Sequence, residues 1–301
     1  MSEDAFMTKR NGGEKSLVSI IQAESEEGNC HQSLPPIGRE PSKQTLSTYP
    51  ILADILGLKP DELLLETKKP VDDWVSFILE EIRKAIRRDD FAAVKALIVE
   101  HLNNPAFQSP KLRQFLLWHQ AIIVYYVDHN QHKAMQLLNS ALNATGYATK
   151  SMPSAQELGI LISLALLHSE EGNNDQAISL FKQALKKTTC PKTVHTNLAL
   201  YLRIYDHLVQ LLYESNDFHQ AIEYAEKGLK LTSEDDYLPI KGELHYTRGK
   251  SFHHLSQQEE ALVDFQRSFT LFQTIGLKSK AEMVQKQLAL LQEGKKLPFH
   301  C

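Results

Sequence analysis

Histidines and cysteines are the residues of this chain best suited to catalysis or metal binding, but their spacing supports neither role. Two close pairs stand out among the 13 histidines, His129 with His132 and His253 with His254. The first pair lies on either side of a polar turn, and no set of cysteines or carboxylates is present to complete a zinc site. His253 and His254 are adjacent on a predicted helix, so their side chains face different directions. The sequence contains no HExxH motif, glycine-rich phosphate loop or nucleophile elbow. We therefore predict no catalytic residue, no metal site and no cofactor, and a protein that is not an enzyme.

The cysteines and the hydropathy indicate a cellular compartment. Cys30, Cys190 and Cys301 are an odd number at wide spacing, which is typical of free thiols in a reducing environment. No apolar run approaches the ~20 residues that cross a bilayer, and the N-terminus shows no apolar signal segment. These observations predict a cytoplasmic protein that does not contact a membrane.

A repeating pattern of helices would position the remaining polar side chains. From residue 71 onward, segments with apolar periodicity alternate with five short polar turns. A plain helical bundle also has short turns, but five occurrences at nearly constant spacing favour stacked helical hairpins. A small residue recurs near the start of each segment that follows a turn, at Val94, Ala134, Ala177, Ala221 and Ala261.

The residues after these small anchors resemble the second half of the tetratricopeptide (TPR) repeat. A larger apolar residue follows four positions later in most segments, and Gly249 matches the glycine of the first helix. The anchors lie 40, 43, 44 and 40 residues apart, against ~34 in the standard repeat, and we expect longer helices rather than loops to account for the difference. The resemblance implies an all-α fold, a right-handed superhelical array of about five TPR-like helix pairs, and a capping helix near 279–292.

In TPR arrays the first helix of each pair lines a concave groove, and the resemblance therefore implies a peptide-binding surface. Polar and aromatic residues at both ends, with an apolar patch at Ile162, Leu166 and Ser169, would suit an extended peptide. For each charged residue, the alternative to a peptide-binding role is a solvated charge on an exposed helix face. For the tyrosines, the alternative is packing between repeats. Counting back from the anchors gives the expected binding residues: Arg83, Arg87, His119, Tyr126, Arg203, Asp206, Gln210, Tyr213, Glu243, Tyr246, Lys250 and His253.

The first 66 residues carry a second resemblance. The stretch from Pro41 to Leu46 and the stretch from Leu52 to Leu64 are similar to the last two helices of a phage-repressor helix-turn-helix domain. The residues around Gln32 and Ser33 resemble the start of its recognition helix, so that Gln32, Ser33 and Arg39 are the expected DNA contacts. We accordingly predict a helix-turn-helix segment at 1–66 and a TPR-like peptide-binding domain at 67–301.

Together the two segments resemble one family over roughly residues 29–293. The chain is similar to PlcR-like members of the peptide-sensing regulators named for Rap, Rgg, NprR, PlcR and PrgX. That resemblance implies a peptide-pheromone-responsive transcriptional regulator of quorum sensing that binds a short signalling peptide and forms a homodimer.

The N-terminal segment departs from the family in two respects. Pro35 and Pro36 stand where the recognition helix would run, and proline removes helical hydrogen bonds. Residues 1–66 also hold 6 Lys/Arg against 11 Asp/Glu, whereas contact with DNA phosphates needs an excess of positive charge. The helix-turn-helix is therefore interpreted as degenerate. The alternative function is a TPR peptide-binding adaptor or decoy without functional DNA binding; a Rap-like phosphotransfer modulator resembles the chain less well.

Overall fold

The computed structural model describes residues 60–187, 194, 196–232 and 237–292, with backbone only for 60–70 and 292, and all its regular elements are helical. The expected DNA contacts Gln32, Ser33 and Arg39 and the three cysteines lie outside the described residues. The α-helices are α1 Pro60–Arg87, α2 Phe91–His101, α3 Pro110–Tyr126, α4 Gln131–Ala144, α5 Ala155–Glu170, α6 Asn174–Lys186, α7 Leu198–Glu214, α8 Phe218–Leu229, α9 Leu238–His254, α10 Gln258–Thr274 and α11 Lys278–Gln292.

The helices pair in chain order within two compact units, one ending at Thr149 and one beginning at Lys150. The first unit contains the pairs α1–α2 and α3–α4, and the second contains α5–α6, α7–α8 and α9–α10 together with α11. The predicted all-α, TPR-like architecture is thus confirmed. Helix α1 runs across the proposed boundary between residues 66 and 67, and that division stays a prediction. Within the described ranges, none of the helices is long and apolar enough to cross a membrane.

Each pair is joined by a tight turn that contains one residue in the left-handed region. At the third of these turns the residue is Gly172, with φ of 80°, where the lack of a Cβ removes the strain. The following helix often starts with a side-chain cap, as where Asp90 accepts a hydrogen bond from the Ala93 amide at 3.0 Å. The other four left-handed residues stand in the equivalent turns, at Asp89, His129, Asn216 and Ser256.

The small anchors occupy the contact between paired helices, as the repeat pattern predicts. All five are buried, and so are the larger residues four positions later, among them Phe181 and Phe265. A Cβ built on Gly249 would lie 3.3 Å from the Phe265 ring, so the glycine permits close approach of α9 and α10. The burial of the anchors and of the residues four positions later confirms that both sets face the core.

The end of the array is also as expected, while one detail of the repeat length is not. Helix α11 packs on α10, where Ala281, Val284 and Leu288 share a core cluster with Phe272. The expectation that helices alone lengthen the repeat is wrong, because the connections 102–109 and 145–154 contain 3-10 turns of their own. Tyr147 and Phe107 in these turns are buried, so the extra residues add core contacts.

Candidate functional site

Eight of the expected binding residues lie on two helices of the second unit, α7 and α9, which pack against each other. In both helices they recur at intervals of three, four and three residues, which keeps them on one side of an α-helix. We call this set the α7–α9 stripe: Arg203, Asp206, Gln210 and Tyr213 on α7, with Glu243, Tyr246, Lys250 and His253 on α9.

One end of the α7–α9 stripe is charged. The Gln210 side-chain amide donates to Asp206 Oδ1 at 3.1 Å. Glu243 pairs with Lys280, which comes from α11. Asp206 and Arg203 interact electrostatically with each other, and the negative charge of Glu243 acts on Asp206. Two carboxylates, one amide and two cations thus meet on three helices, and this group offers both acceptors and donors to a ligand.

The Asp206 carboxyl is the most perturbed acid of this group. Loss of hydration and, next, repulsion by Glu243 raise its pKa to about 7, against the opposing influence of Gln210, Lys280 and Arg203. Near neutral pH the group is therefore divided between its protonated and charged forms. In the protonated form it can donate a hydrogen bond to a ligand carbonyl, and in the charged form it can accept from a ligand amide.

Lys280 is a member of the site that the sequence interpretation missed. It belongs to the capping helix, and its ammonium lies 5.5 Å from the centroid of Phe272 as well as against Glu243. Glu243 lies 37 residues after Asp206, and Lys280 lies 37 residues after Glu243. The count along the stripe ended with the fifth pair and did not extend to the capping helix, so it could not reach Lys280.

The other end of the α7–α9 stripe is aromatic. The Lys250 ammonium lies 4.1 Å from the ring centroid of Tyr213 and 4.8 Å from that of Tyr246, within the range of cation–π attraction. Both rings are largely buried. The two tyrosine rings therefore pack beneath the Lys250 ammonium, and little of their own surface is exposed to a ligand.

A histidine from the end of α9 fixes the Tyr213 hydroxyl. His254 Nε2 is 3.0 Å from that hydroxyl, and its ring stacks on Phe218 at 4.6 Å. Partial burial and the charges of His253 and Lys250 lower the pKa of His254, which favours the neutral imidazole in its hydrogen bond with Tyr213. His253 itself contacts Gln258 Oε1 through Nδ1 at 3.0 Å.

In the first unit, the two expected arginines converge on one carboxylate. Arg87 donates to Glu80 Oε1 at 2.7 Å, and Arg83 lies 3.8 Å from the same carboxylate. The Arg83 guanidinium also lies over the Phe115 ring at 5.2 Å. Each side chain is partly exposed, so a ligand carboxylate would compete with Glu80 for them.

Other expected residues are buried or pack against a neighbouring ring. His119 is fully buried: its Nδ1 donates to the Phe115 carbonyl at 2.7 Å, and Nε2 has no hydrogen-bond partner. Burial lowers the pKa of His119 to about 3. Tyr126 stacks on Phe91 at 5.2 Å, and Ile162 of the expected apolar patch is fully buried. In this conformation His119 and Ile162 present no surface to a ligand.

The geometry of the α7–α9 stripe favours reversible binding of a polar, extended ligand. Gln210, Lys250 and the acids supply directional donors and acceptors, which match the backbone groups and termini of a peptide. Among the residues that the structure describes, no three histidines, cysteines or acids are grouped so that they could hold a metal ion.

Comparison with known proteins identifies a family and a fold. The family model described as the RNPP family C-terminal domain matches residues 79–291. No curated protein matches the sequence. Similar solved structures include apo PlcR of Bacillus thuringiensis, 17% identical with a TM-score of 0.57 over 89% of this chain and 98% of that one.

Two further structures extend the comparison. PlcR in complex with the peptide PapR7 and DNA is 18% identical, with a TM-score of 0.50 over 82% of this chain and 85% of its own. BtubC (BKLC) from P. vanneervenii is 16% identical, with a TM-score of 0.56 over 72% and 86%. At these identities the likenesses establish a shared helical-repeat fold.

Proposed function

The chain belongs to the RNPP family, whose C-terminal domain model matches residues 79–291, and on this premise we propose that it is a transcriptional regulator that senses a short signalling peptide. The family comprises peptide-sensing regulators rather than enzymes, in agreement with the expectation drawn from the sequence. The proposed ligand is a peptide of roughly five to eight residues.

The observation that carries this proposal is the matched arrangement on α7 and α9. Two adjacent first helices of helix pairs present polar and aromatic side chains at the same spacing, with acids and amide at one end and Lys250 over tyrosine rings at the other. A peptide needs donors and acceptors for its backbone and charges for its termini. A PlcR structure of the same fold is described as a complex with the peptide PapR7 and DNA, which supports a peptide as the ligand class.

Response to the peptide would follow from differential affinity. A peptide that contacts α7, α9 and α11 together stabilises the arrangement in which their side chains converge. In a regulator, the arrangement that the peptide stabilises would change the affinity of a DNA-binding segment for DNA. In a homodimer, the same change would occur in both copies of the chain. Both the DNA contact and the homodimer are parts of the proposal.

The second candidate function is a peptide-binding adaptor or decoy. It is favoured by the excess of acid over base in residues 1–66 and by Pro35 and Pro36, since DNA contact requires positive charge. Both candidate functions use the α7–α9 stripe to bind a peptide. They differ in whether the chain also binds DNA sequence-specifically.

Affinity selection tests peptide binding directly. Immobilised full-length protein is incubated with a synthetic library of seven-residue peptides, and the retained peptides are sequenced by mass spectrometry. We expect enrichment of a defined sequence on the wild type and its loss on the triple variant Arg87→Ala, Asp206→Ala, Glu243→Ala. Glu282→Ala, an exposed acid on α11, is the matched control. Equal enrichment on the triple variant would refute the assignment of these residues.

A further inference from the structure

A groove lies on the opposite side of α9 from the α7–α9 stripe. Arg248 and Phe252 are offset from Tyr246 and Lys250 by two residues, or ~200° around the helix. The groove has a cavity volume of about 320 Å³, and its walls are Glu226 of α8 and, on α10, Glu259, Glu260, Val263 and Arg267. All of these residues belong to the second unit. A ligand of the α7–α9 stripe would therefore leave this groove open.

The floor of the groove is fixed by a buried ionic network. Arg248 donates through Nε to Asp264 Oδ2 at 2.6 Å and through NH2 to Oδ1 at 2.7 Å, and His245 Nδ1 lies 2.8 Å from Oδ1. Asp264 is only 2% exposed, and the Arg248 side chain 13%. Burial raises the pKa of Asp264, but the hydrogen bonds from Arg248 and His245 outweigh it and hold that pKa below its usual value. The charges of Arg248 and Asp264 therefore largely cancel each other.

The walls carry an apolar contact surface next to uncancelled negative charge. Val263 is 49% exposed and lines the groove together with Phe252. Glu226 is 45% exposed, and its nearest oxygen is 4.0 Å from Arg248 NH1, at the outer limit of an ion pair. Glu259 and Glu260 are exposed at the start of α10. Arg267 is the one basic residue among the walls. Against it stand Glu226, Glu259 and Glu260, so the walls carry an excess of negative charge.

We propose that this groove docks a partner protein through a segment that presents an arginine or lysine beside an apolar side chain. The apolar side chain would cover Val263 and Phe252, and the basic group would lie among Glu226, Glu259 and Glu260. Charge complementarity selects a basic partner, and the apolar floor favours a protein segment over a small cation. An acidic partner would be repelled by three carboxylates.

Nuclear magnetic resonance of the labelled full-length chain tests the docking surface. The probe is acetyl-Leu-Arg-Leu-amide, with acetyl-Leu-Glu-Leu-amide as the charge-reversed control. We expect saturable shifts at Phe252 and Val263 with the arginine probe and none with the glutamate probe. The double variant Glu259→Lys, Glu260→Lys should weaken binding about tenfold, because it replaces two attracting carboxylates by two repelling ammonium groups. The matched control, Glu282→Lys on α11, should leave binding unchanged.

Several results would overturn the proposal. One is the absence of shifts in the groove at millimolar probe, and another is shifts that the double variant leaves intact. Shifts at Asp206 and Lys250 instead would show that the probe occupies the α7–α9 stripe. Equal binding of arginine amide would reduce the groove to a cation site, and concentration-dependent groove signals without probe would identify a second copy as the occupant. Unchanged helical circular dichroism of the double variant separates loss of docking from loss of fold.

Discussion

At the scale of single residues, Asp206 combines two unfavourable conditions, loss of water and the nearby charge of Glu243. Its pKa in the folded chain is about 7, against an ordinary value of 3.8. For an acid with a raised pKa, the folded state disfavours the charged form. Stability associated with Asp206 is therefore fully present below about pH 3.8 and is lost as the pH rises from there to about 7.

Asp206→Asn should consequently stabilise the second unit at high pH. The expected gain in free energy of unfolding at pH 8 is on the order of 1–3 kcal/mol, less than the full pKa shift implies because the side chain is partly solvated. At pH 4 the gain should be close to zero. Urea unfolding of wild type and variant at both pH values measures it, with Glu282→Gln as the exposed control. An equal effect at both pH values would show that charge is not its cause.

His119 predicts the opposite pH dependence in the first unit. Its pKa of about 3 lies below the ordinary 6.5, because burial removes the hydration that would stabilise the charged imidazolium. The unfolded chain binds this proton first, so stability falls as the pH drops below about 6.5. We expect a loss of about 2 kcal/mol between pH 7 and pH 5, which His119→Gln should lack. Identical pH slopes for wild type and variant, from urea unfolding, would exclude this assignment.

Helical spacing identifies which residues lie on the same side of a helix, but it does not determine how deeply each side chain is buried. Counting from the anchors selected Asp206, Gln210 and Glu243, which the structure brings near one another because a helix has a fixed period. The same count selected His119, which is buried because Phe115 and Trp118 enclose it. Lys280 was missed because it lies beyond the last pair. Burial and contacts between helices depend on the tertiary packing.

At the scale of helices, close packing depends on positions where a side chain has no room. A Cβ built on Gly242 of α9 would lie 2.5 Å from the Phe272 ring of α10, and Ser268 Oγ donates to the Gly242 carbonyl at 2.8 Å. Close approach therefore fixes the register of α9 against α10.

Gly242→Ala should destabilise the fold although alanine is the better helix former. Helix propensity alone predicts a gain of about 1 kcal/mol, whereas the overpacking against Phe272 costs about 1–3 kcal/mol, and a contact of 2.5 Å belongs to the upper part of that range. We expect a lower urea midpoint than wild type, with no change for the exposed substitution Gln266→Ala on α10. A raised midpoint would show that Phe272 moves aside without cost.

The helices themselves are highly predictable from this sequence, and the connections are less so. Anchors such as Ala177 and turn residues such as Gly172 mark each pair because close packing and left-handed backbone restrict residue type. The 3-10 turns at Pro105–Phe107 and Tyr147–Thr149 gave no comparable signal. Their conformation depends on where Phe107 and Tyr147 find space in the core.

At the scale of the whole molecule, reading of DNA separates the two candidate functions. The regulator requires sequence-specific DNA binding, whereas the adaptor, which is favoured by the acidic balance of residues 1–66 and the two prolines, requires none. Gel-shift assays with promoter fragments near the gene, at ~50 mM salt where phosphate contacts are strongest, measure it. Tight, sequence-specific binding would instead favour the regulator over the adaptor.

Peptide recognition by the α7–α9 stripe is the central claim, and calorimetry with one peptide enriched by the affinity selection tests it most directly. We predict saturable binding of the peptide to the wild type and to the double variant Glu259→Lys, Glu260→Lys. The substitutions of that variant lie in the groove on the opposite side of α9 from the stripe. Glu243→Ala alone should weaken binding by ~1–3 kcal/mol if Glu243 accepts a buried backbone amide. Affinity that is unchanged in Glu243→Ala and in the triple variant with Arg87→Ala and Asp206→Ala would contradict the claim.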